Sequence, residues 1–169
     1  MKNHVKKNIE AGPARNEMFV TFSLDNEIFG IDVMKVEEII GFIPVTHIPE
    51  SADYLKGVIN LRGKVVPVID LRLKFRMGEK GYDASTVILI VNVENRSVGL
   101  IADSVSDVAD IPGDMIHDYS DIENGQKNHF IKNIANFNDE LILIMDIDTL
   151  MKEIDIPADE TDEDETLND

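Results

Sequence analysis

The sequence predicts a mainly β fold built from a duplicated module, and three observations carry that prediction. Apolar residues gather in short runs separated by turn signals such as Asp25-Asn26, Arg62-Gly63-Lys64 and Glu94-Asn95-Arg96. Comparing the chain with itself, an offset of 69 residues lays the first hairpin on a second copy. No apolar run approaches the ~18 residues of a membrane-spanning helix, the longest being five-residue stretches such as 87–91 and 141–145.

Taken in order, residues 18–24 and 27–32 form a hairpin closed by Asp25-Asn26, whose side chains favour tight turns. From Val33 the period changes. Val33, Val36, Glu37, Ile39 and Ile40 follow 3 and 4 spacing behind a possible cap at Asp32, which predicts a short helix ending at Gly41. Residues 42–48 read as extended up to Pro49, and 51–56 as a single helical turn before Gly57. Residues 58–61 and 65–71 form the next hairpin, with Pro67 arguing for an edge position or a bulge. The second half repeats the design: strands at 87–93 and 98–102, helical positions Ala102, Val105 and Val108, a polar loop at 118–128, then strands at 130–137 and 141–147. Many short strands with regular turns point to a barrel or a sandwich.

The repeat extends to individual residues. At an offset of 69, Asn26 meets Asn95, Gly30 meets Gly99, Val36 meets Val105, Glu38 meets Asp107 and Ile39 meets Val108. At 76, Val58-Ile59-Asn60 meets Ile134-Ala135-Asn136, and the run ending in Asp70 meets the run ending in Asp146. Modules of this size are near the lower limit of independent stability, so the copies are expected to share buried surface. They differ at one turn: Arg62-Gly63-Lys64 becomes Asn138-Asp139-Glu140. The fold therefore does not need the basic turn, and a Glu38–Arg62 pair is the specific expectation, with Arg62 pointing into solvent as the alternative.

Charge and composition exclude several function classes. The 169 residues include no Cys and no Trp and carry a formal charge of −17. There is no disulfide framework and no thiolate chemistry. Residues 1–16 hold four bases and one acid, and 157–169 hold seven acids and no base; both read as disordered tails. Together they leave −13 on the body, which disfavours nucleic-acid binding, as does the lack of an aromatic-rich basic platform. One stretch departs from the trend, with seven bases between Lys56 and Lys80; it reads as an ordinary solvated face, the alternative being an electropositive surface for an acidic partner.

Catalytic constellations are missing. His4, His47, His117 and His129 lack metal-type i, i+4 spacing. The stretch 57–64 has five residues between its glycines and Val65 where a phosphate loop needs Ser or Thr; Ile122 occupies a required calcium-ligand position in the acidic loop before Gly125; and no Gly-x-Ser-x-Gly elbow occurs. Asn95-Arg96-Ser97 is a formal glycosylation sequon without meaning in a cytosolic protein. The apolar positions of the two predicted helices are core by default; exposed, they would flank a groove suited to a partner's helix. A nucleic-acid-binding barrel and a small-molecule barrel or hydrolase rank behind that binding module.

Glu27-Ile28-Phe29-Gly30-Ile31-Asp32, Lys35-Val36-Glu37-Glu38-Ile39, Lys56-Gly57-Val58-Ile59-Asn60-Leu61-Arg62-Gly63 and Val66-Pro67-Val68-Ile69-Asp70-Leu71-Arg72 resemble the CheW family of bacterial chemotaxis coupling proteins, over about Met18 to Met151. The resemblance implies two SH3-like five-stranded β-barrels sharing a core, the first at about 17–82 and the second at about 83–150, within a domain of 17–156. It implies a cytoplasmic, non-enzymatic adaptor without cofactor, recruited to membrane-associated receptor arrays, which joins the cytoplasmic tip of chemoreceptors (methyl-accepting chemotaxis proteins) to the regulatory domain of the histidine kinase CheA. Related domains occur in CheA and CheV, and this length has room for neither a kinase nor a receiver domain, so a standalone adaptor is implied. Carried over by position, the receptor groove would involve Val33, Val36, Glu38, Ile39, Arg62, Val98 and Val105, and the kinase contact Lys56, Gly57 and Val58. The tail after Pro157 matches no motif of the family.

Overall fold

The computed structural model describes residues 15–119 and 129–154; the two tails, apart from Arg15 and Asn16, and most of the 118–128 loop lie outside them. Eleven strands are described: β1 (Glu17–Leu24), β2 (Glu27–Asp32), β3 (Val36–Gly41), β4 (Leu55–Leu61), β5 (Lys64–Asp70), β6 (Val87–Val93), β7 (Arg96–Ala102), β8 (Ser104–Ile111), β9 (Ile116–Asp118), β10 (Ile131–Phe137) and β11 (Glu140–Met145). Two short helices, α1 (Leu71–Lys74) and α2 (Ile147–Glu153), follow β5 and β11 and are capped by Asp70 and Asp146, one repeat apart. The β4–β5, β6–β7 and β10–β11 turns have positive φ at both central residues, the turn geometry that matches the twist of paired strands.

The strands form two sheets, one ordered β8-β1-β2-β11-β10-β9 and the other β3-β6-β7-β5-β4. The two copies of the module have therefore exchanged hairpins. Copy one's β1–β2 sits among strands of copy two, and β6–β7 among strands of copy one, through parallel pairings of β2 with β11 and β5 with β7. The expected division into 17–82 and 83–150 does not follow the sheets, because alternating apolar patterns are satisfied equally by partners within a copy or across copies. Both sheets curl. Thr46, downstream of edge strand β3, bridges to Val58 on the opposite edge, and β9, downstream of edge strand β8, pairs with β10.

Burial follows this arrangement in three parts. A large core between the sheets holds Val20, Phe22, Leu24, Leu89, Val91, Val98 and Leu100 among others. Smaller cores fill the concave side of each sheet, one around Phe19, Ile142 and Ile144 and the other around Val68, Ile88 and Ile90. Gly30 and Gly99 mark the same tight spot in each: a Cβ on Gly30 would lie 3.0 Å from Ile144, and one on Gly99 2.8 Å from Ile88.

Both predicted helices are strands. After a single 3₁₀ turn at Val33–Lys35 the chain continues as β3, and Val105 and Val108 lie on β8. The cause of the misreading is a β-bulge. Val36 pairs with Val91, Glu38 with Ile90 and Ile39 with Leu89, leaving Glu37 as an extra residue; residues on one face then fall three apart and imitate helical spacing. The same slip recurs on β8, where Val105 pairs with Phe22 and Asp107 with Thr21, with Ser106 extra. Pro67 has no β7 partner: the parallel pairing of β5 with β7 begins at Val68, so that side of the strand is an edge at Pro67.

Candidate functional site

The bulged edge strands β3 and β8 position the first part of the site. Paired residues share a sheet face, so Val36 and Ile39 on β3, like Val105 and Val108 on β8, stand on the face that forms the large core. Being on edges, they run past its cover. Ile39, Val105 and Val108 are 39%, 37% and 44% exposed, and Val33 and Val36 pack against the core's margin. Met34, in the turn leading to β3, is 85% exposed. Val98 departs from the expectation: it is fully buried in the large core, because its place on the inner strand β7 gives it cover on both sides, and it presents nothing to a partner.

Polar groups gather at one end of the second sheet. The Arg62 guanidinium donates to both Glu38 carboxylate oxygens, Nη1 to Oε1 at 2.6 Å and Nη2 to Oε2 at 2.7 Å. The pair expected from the repeat is thus formed, and it spans the two ends of the curled sheet. Arg62 holds the Glu38 carboxyl below its usual range, first through these hydrogen bonds and then through its charge, while Glu38 raises the guanidinium in turn. Glu38 is the more sheltered partner; the Arg62 side chain is 72% exposed and faces outward. Beside it, the Glu37 carboxylate accepts from Asn92 Nδ2 at 2.6 Å and Ser97 Oγ at 2.8 Å, and Lys64 Nζ donates to that same Ser97 Oγ at 3.1 Å. Sequence reasoning missed Glu37, Lys64, Asn92 and Ser97 as a group.

Lys56, Gly57 and Val58 lie on edge strand β4. Lys56 Nζ sits 3.7 Å from Glu79 and 5.7 Å from the Tyr82 ring centroid. Gly57 is buried, with φ of +146°, and a Cβ there would stand 1.9 Å from the Thr46 carbonyl oxygen. Val58 exchanges two 2.9 Å backbone hydrogen bonds with Thr46. Gly57 is therefore explained by close backbone approach.

The seven bases between Lys56 and Lys80 do not form one surface. Arg72 is buried, its Nε bonded to Asp103 at 2.8 Å, its Nη2 to Asp25 at 2.5 Å and its Nη1 to the Gly78 carbonyl at 3.2 Å. Burial is the largest single influence on Asp103 and pushes its carboxyl up, but the Arg72 hydrogen bond, the Asp25 backbone N–H and the charges of Arg72 and Lys80 together outweigh it, and the carboxyl ends below its usual range. Lys74 lies between the rings of Tyr54 and Phe130, at 4.5 and 5.1 Å. Tyr82 donates its hydroxyl to Asp70 at 2.7 Å, and burial with that bond raises the phenol far above its normal range.

Among the described residues no three His, Asp or Glu side chains converge as a metal site requires, and no helix is long and apolar enough to cross a membrane. The residues make two partly exposed apolar edge strands, β3 and β8, at repeat-related places beside a shared core, and an outward arginine fixed at two points. Apolar strand edges left exposed beside a core are features of protein-binding modules. Residues 18–155 match the family model of the CheW-like domain. The chain is 36% identical to the chemotaxis protein CheW of Klebsiella aerogenes over 83% of its length and 85% of that protein's, and 32% identical to the probable chemotaxis protein CheW of Rhizobium etli over 82% and 90%. Its structure is similar to the crystal structure of the scaffolding protein TtCheW from Thermoanaerobacter tengcongensis, with a TM-score of 0.72 and 34% identity over 78% of this chain and 89% of that one. The chain belongs to the CheW-like family, the non-enzymatic scaffolds that couple chemoreceptors to the kinase CheA in bacterial chemotaxis.

Proposed function

We propose that this chain acts as a coupling scaffold whose receptor-binding surface is the apolar margin formed by Val33, Val36, Ile39 and Val105, with Glu38 and Arg62 at its rim. The observation that carries the reading is the repeat-related exposure of Ile39, Val105 and Val108 on the face that is elsewhere buried between the sheets. A helical hairpin at a receptor's cytoplasmic tip presents an apolar stripe with charged flanks, which suits such a margin and an outward arginine. The kinase's regulatory domain would meet β4 around Lys56, Gly57 and Val58, and the scaffold would thereby be recruited to receptor arrays. Binding at the margin would transmit a change in receptor packing as a shift between states of the assembly.

The test is co-sedimentation with receptor-containing membranes and CheA, reading kinase phosphorylation in the pellet, for wild type and Arg62→Asn. Asparagine suits the left-handed conformation at 62, since Asn138 holds φ of 52° at the matching turn, as does Arg62 itself. Stability is expected to change by less than about 0.5 kcal/mol while coupling falls. Wild type that ignores both partners, or Arg62→Asn that couples normally, would refute the reading.

A further inference from the structure

The polar cluster at the end of the second sheet contains a comparison with itself. Neighbouring residues on a regular strand point to opposite faces. At the β3 bulge that alternation is broken, and both carboxylates of Glu37 and Glu38 serve the same basic turn: Glu38 takes Arg62, and Glu37 takes the Ser97 hydroxyl to which Lys64 donates. Asn92 adds a second donor to Glu37, at 2.6 Å from strand β6. The first turn of the β4–β5 hairpin is thus held at both of its cations, across a sheet whose far edge carries the carboxylates.

The second copy has the identical bulge without this apparatus. Ser106 stands where Glu37 stands, Asp107 replaces Glu38, Asn138 replaces Arg62 and Glu140 replaces Lys64. There Thr21 Oγ1 serves the backbone of Asp107, donating to its carbonyl at 3.0 Å. The bulge consequently does not require a carboxylate, and the Glu37 network is an addition to the copy that carries the outward arginine.

We propose that Glu37 is a positioning residue of the receptor-binding surface: anchored by Asn92 and Ser97, it fixes the bulged stretch of β3 so that Glu38 holds Arg62 in its outward, two-point geometry. This rests on the coupling function proposed above. Glu37 touches no partner in this scheme; it acts through Glu38 and Arg62.

The experiment is a ¹³C-detected titration of the Glu38 carboxyl in the full chain, where two causes give opposite signs. The charged groups around Glu38 in this cluster are Arg62, Glu37 and Lys64. If Glu37 acted only through its charge, removing that charge would let Arg62 draw Glu38 further down. If it positions the pair, Glu37→Ala loosens Glu38 from Arg62 and Glu38 rises, by about half a unit or more. Glu37→Gln keeps an oxygen to accept from Asn92 and Ser97 and is expected to leave Glu38 at or below its wild-type value. Ser97→Ala, which keeps the charge and cuts the anchor, is expected to raise Glu38 and serves if Glu37→Ala folds poorly. Glu38 unmoved or falling in both truncations, or rising as far in Glu37→Gln as in Glu37→Ala, overturns the proposal. In the pelleting assay Glu37→Ala is expected to lose coupling severalfold and Glu37→Gln to retain it. The titration uses no partner, so wild type that fails to pellet counts against the coupling function, while the titration alone decides the positioning.

Discussion

Gly57→Ala separates a structural residue from a contact residue. With φ at +146°, Gly57 occupies a region essentially closed to L side chains, and the added Cβ would fall 1.9 Å from the Thr46 carbonyl oxygen and 2.6 Å from its carbonyl carbon. Those are backbone atoms, so no rotamer change relieves the overlap. The backbone strain costs about 1–3 kcal/mol. Moving Thr46 away breaks its two hydrogen bonds with Val58, each worth about 1 kcal/mol net. The sum, about 3–5 kcal/mol, is a large share of the stability of a domain this size and corresponds to a melting-temperature loss of about 10 °C or more. Far-UV circular dichroism melts measure it, and hydrogen exchange at the Thr46 and Val58 amides reports the local opening. A loss below about 2 °C would refute the close-approach account and return Gly57 to the kinase surface as a contact in its own right.

Gly99→Ala is expected to destabilise by about 1–3 kcal/mol, because its Cβ would meet Ile88 at 2.8 Å inside a filled core; Gly41→Ala, with nothing within 4 Å, is the matched control and should change little in the same urea titration. Arg72→Gln leaves Asp103 and Asp25 without their cation and should cost about 3–5 kcal/mol at neutral pH. The pH dependence has a definite sign. Asp103 has its carboxyl lowered in the fold, so its stabilisation is present above the unfolded value near 3.8 and is lost as pH falls through the folded one. Unfolding free energies measured from pH 6 to 2 should therefore decline more shallowly in Arg72→Gln than in wild type, and an identical slope would count against the pairing.

The hairpins were legible because turn chemistry and period-2 patterning agree there: residues 87–93 were read to the residue, and the first hairpin to within one. The Glu38–Arg62 pair was legible too, since comparing the two copies isolates the one basic turn. Strands β3 and β8 imitate helices because a bulge inserts one residue into the count, and spacing alone cannot tell a bulged strand from a helical turn. Val98 is expected in the groove by resemblance yet lies buried on an inner strand, and nothing local in the sequence distinguishes an inner strand from an edge. Hairpin exchange was hidden for the same reason, as each strand's pattern states how much it buries and not against which partner. Glu37 did leave a signal: where copy one has Glu37 and Lys64, copy two has Ser106 and Glu140, so the acid and the base disappear together.

Exchange of hairpins makes two joints between the sheets, and the repeat lets them be compared. At one, Arg72 of α1 reaches Asp25 in the β1–β2 turn and Asp103 at the β7–β8 corner, with its side chain 10% exposed. The position matching Arg72 is Asp148 on α2, and there the charges are reversed: Asp148 receives Lys35 at 3.3 Å, with both side chains in solvent at 38% and 52% exposure. An exposed single pair of that kind contributes at most about 1 kcal/mol, whereas breaking the buried one costs severalfold more. A fold that is two-fold in its backbone is therefore unequal in its fastening, firm at Arg72 and slack at Lys35. The slack joint adjoins Met34 and the start of β3, the same stretch that carries the exposed apolar margin and Glu38. The proposed recognition surface thus adjoins the joint whose ion pair is the weaker of the two, and a partner seated there would meet the more lightly fastened side.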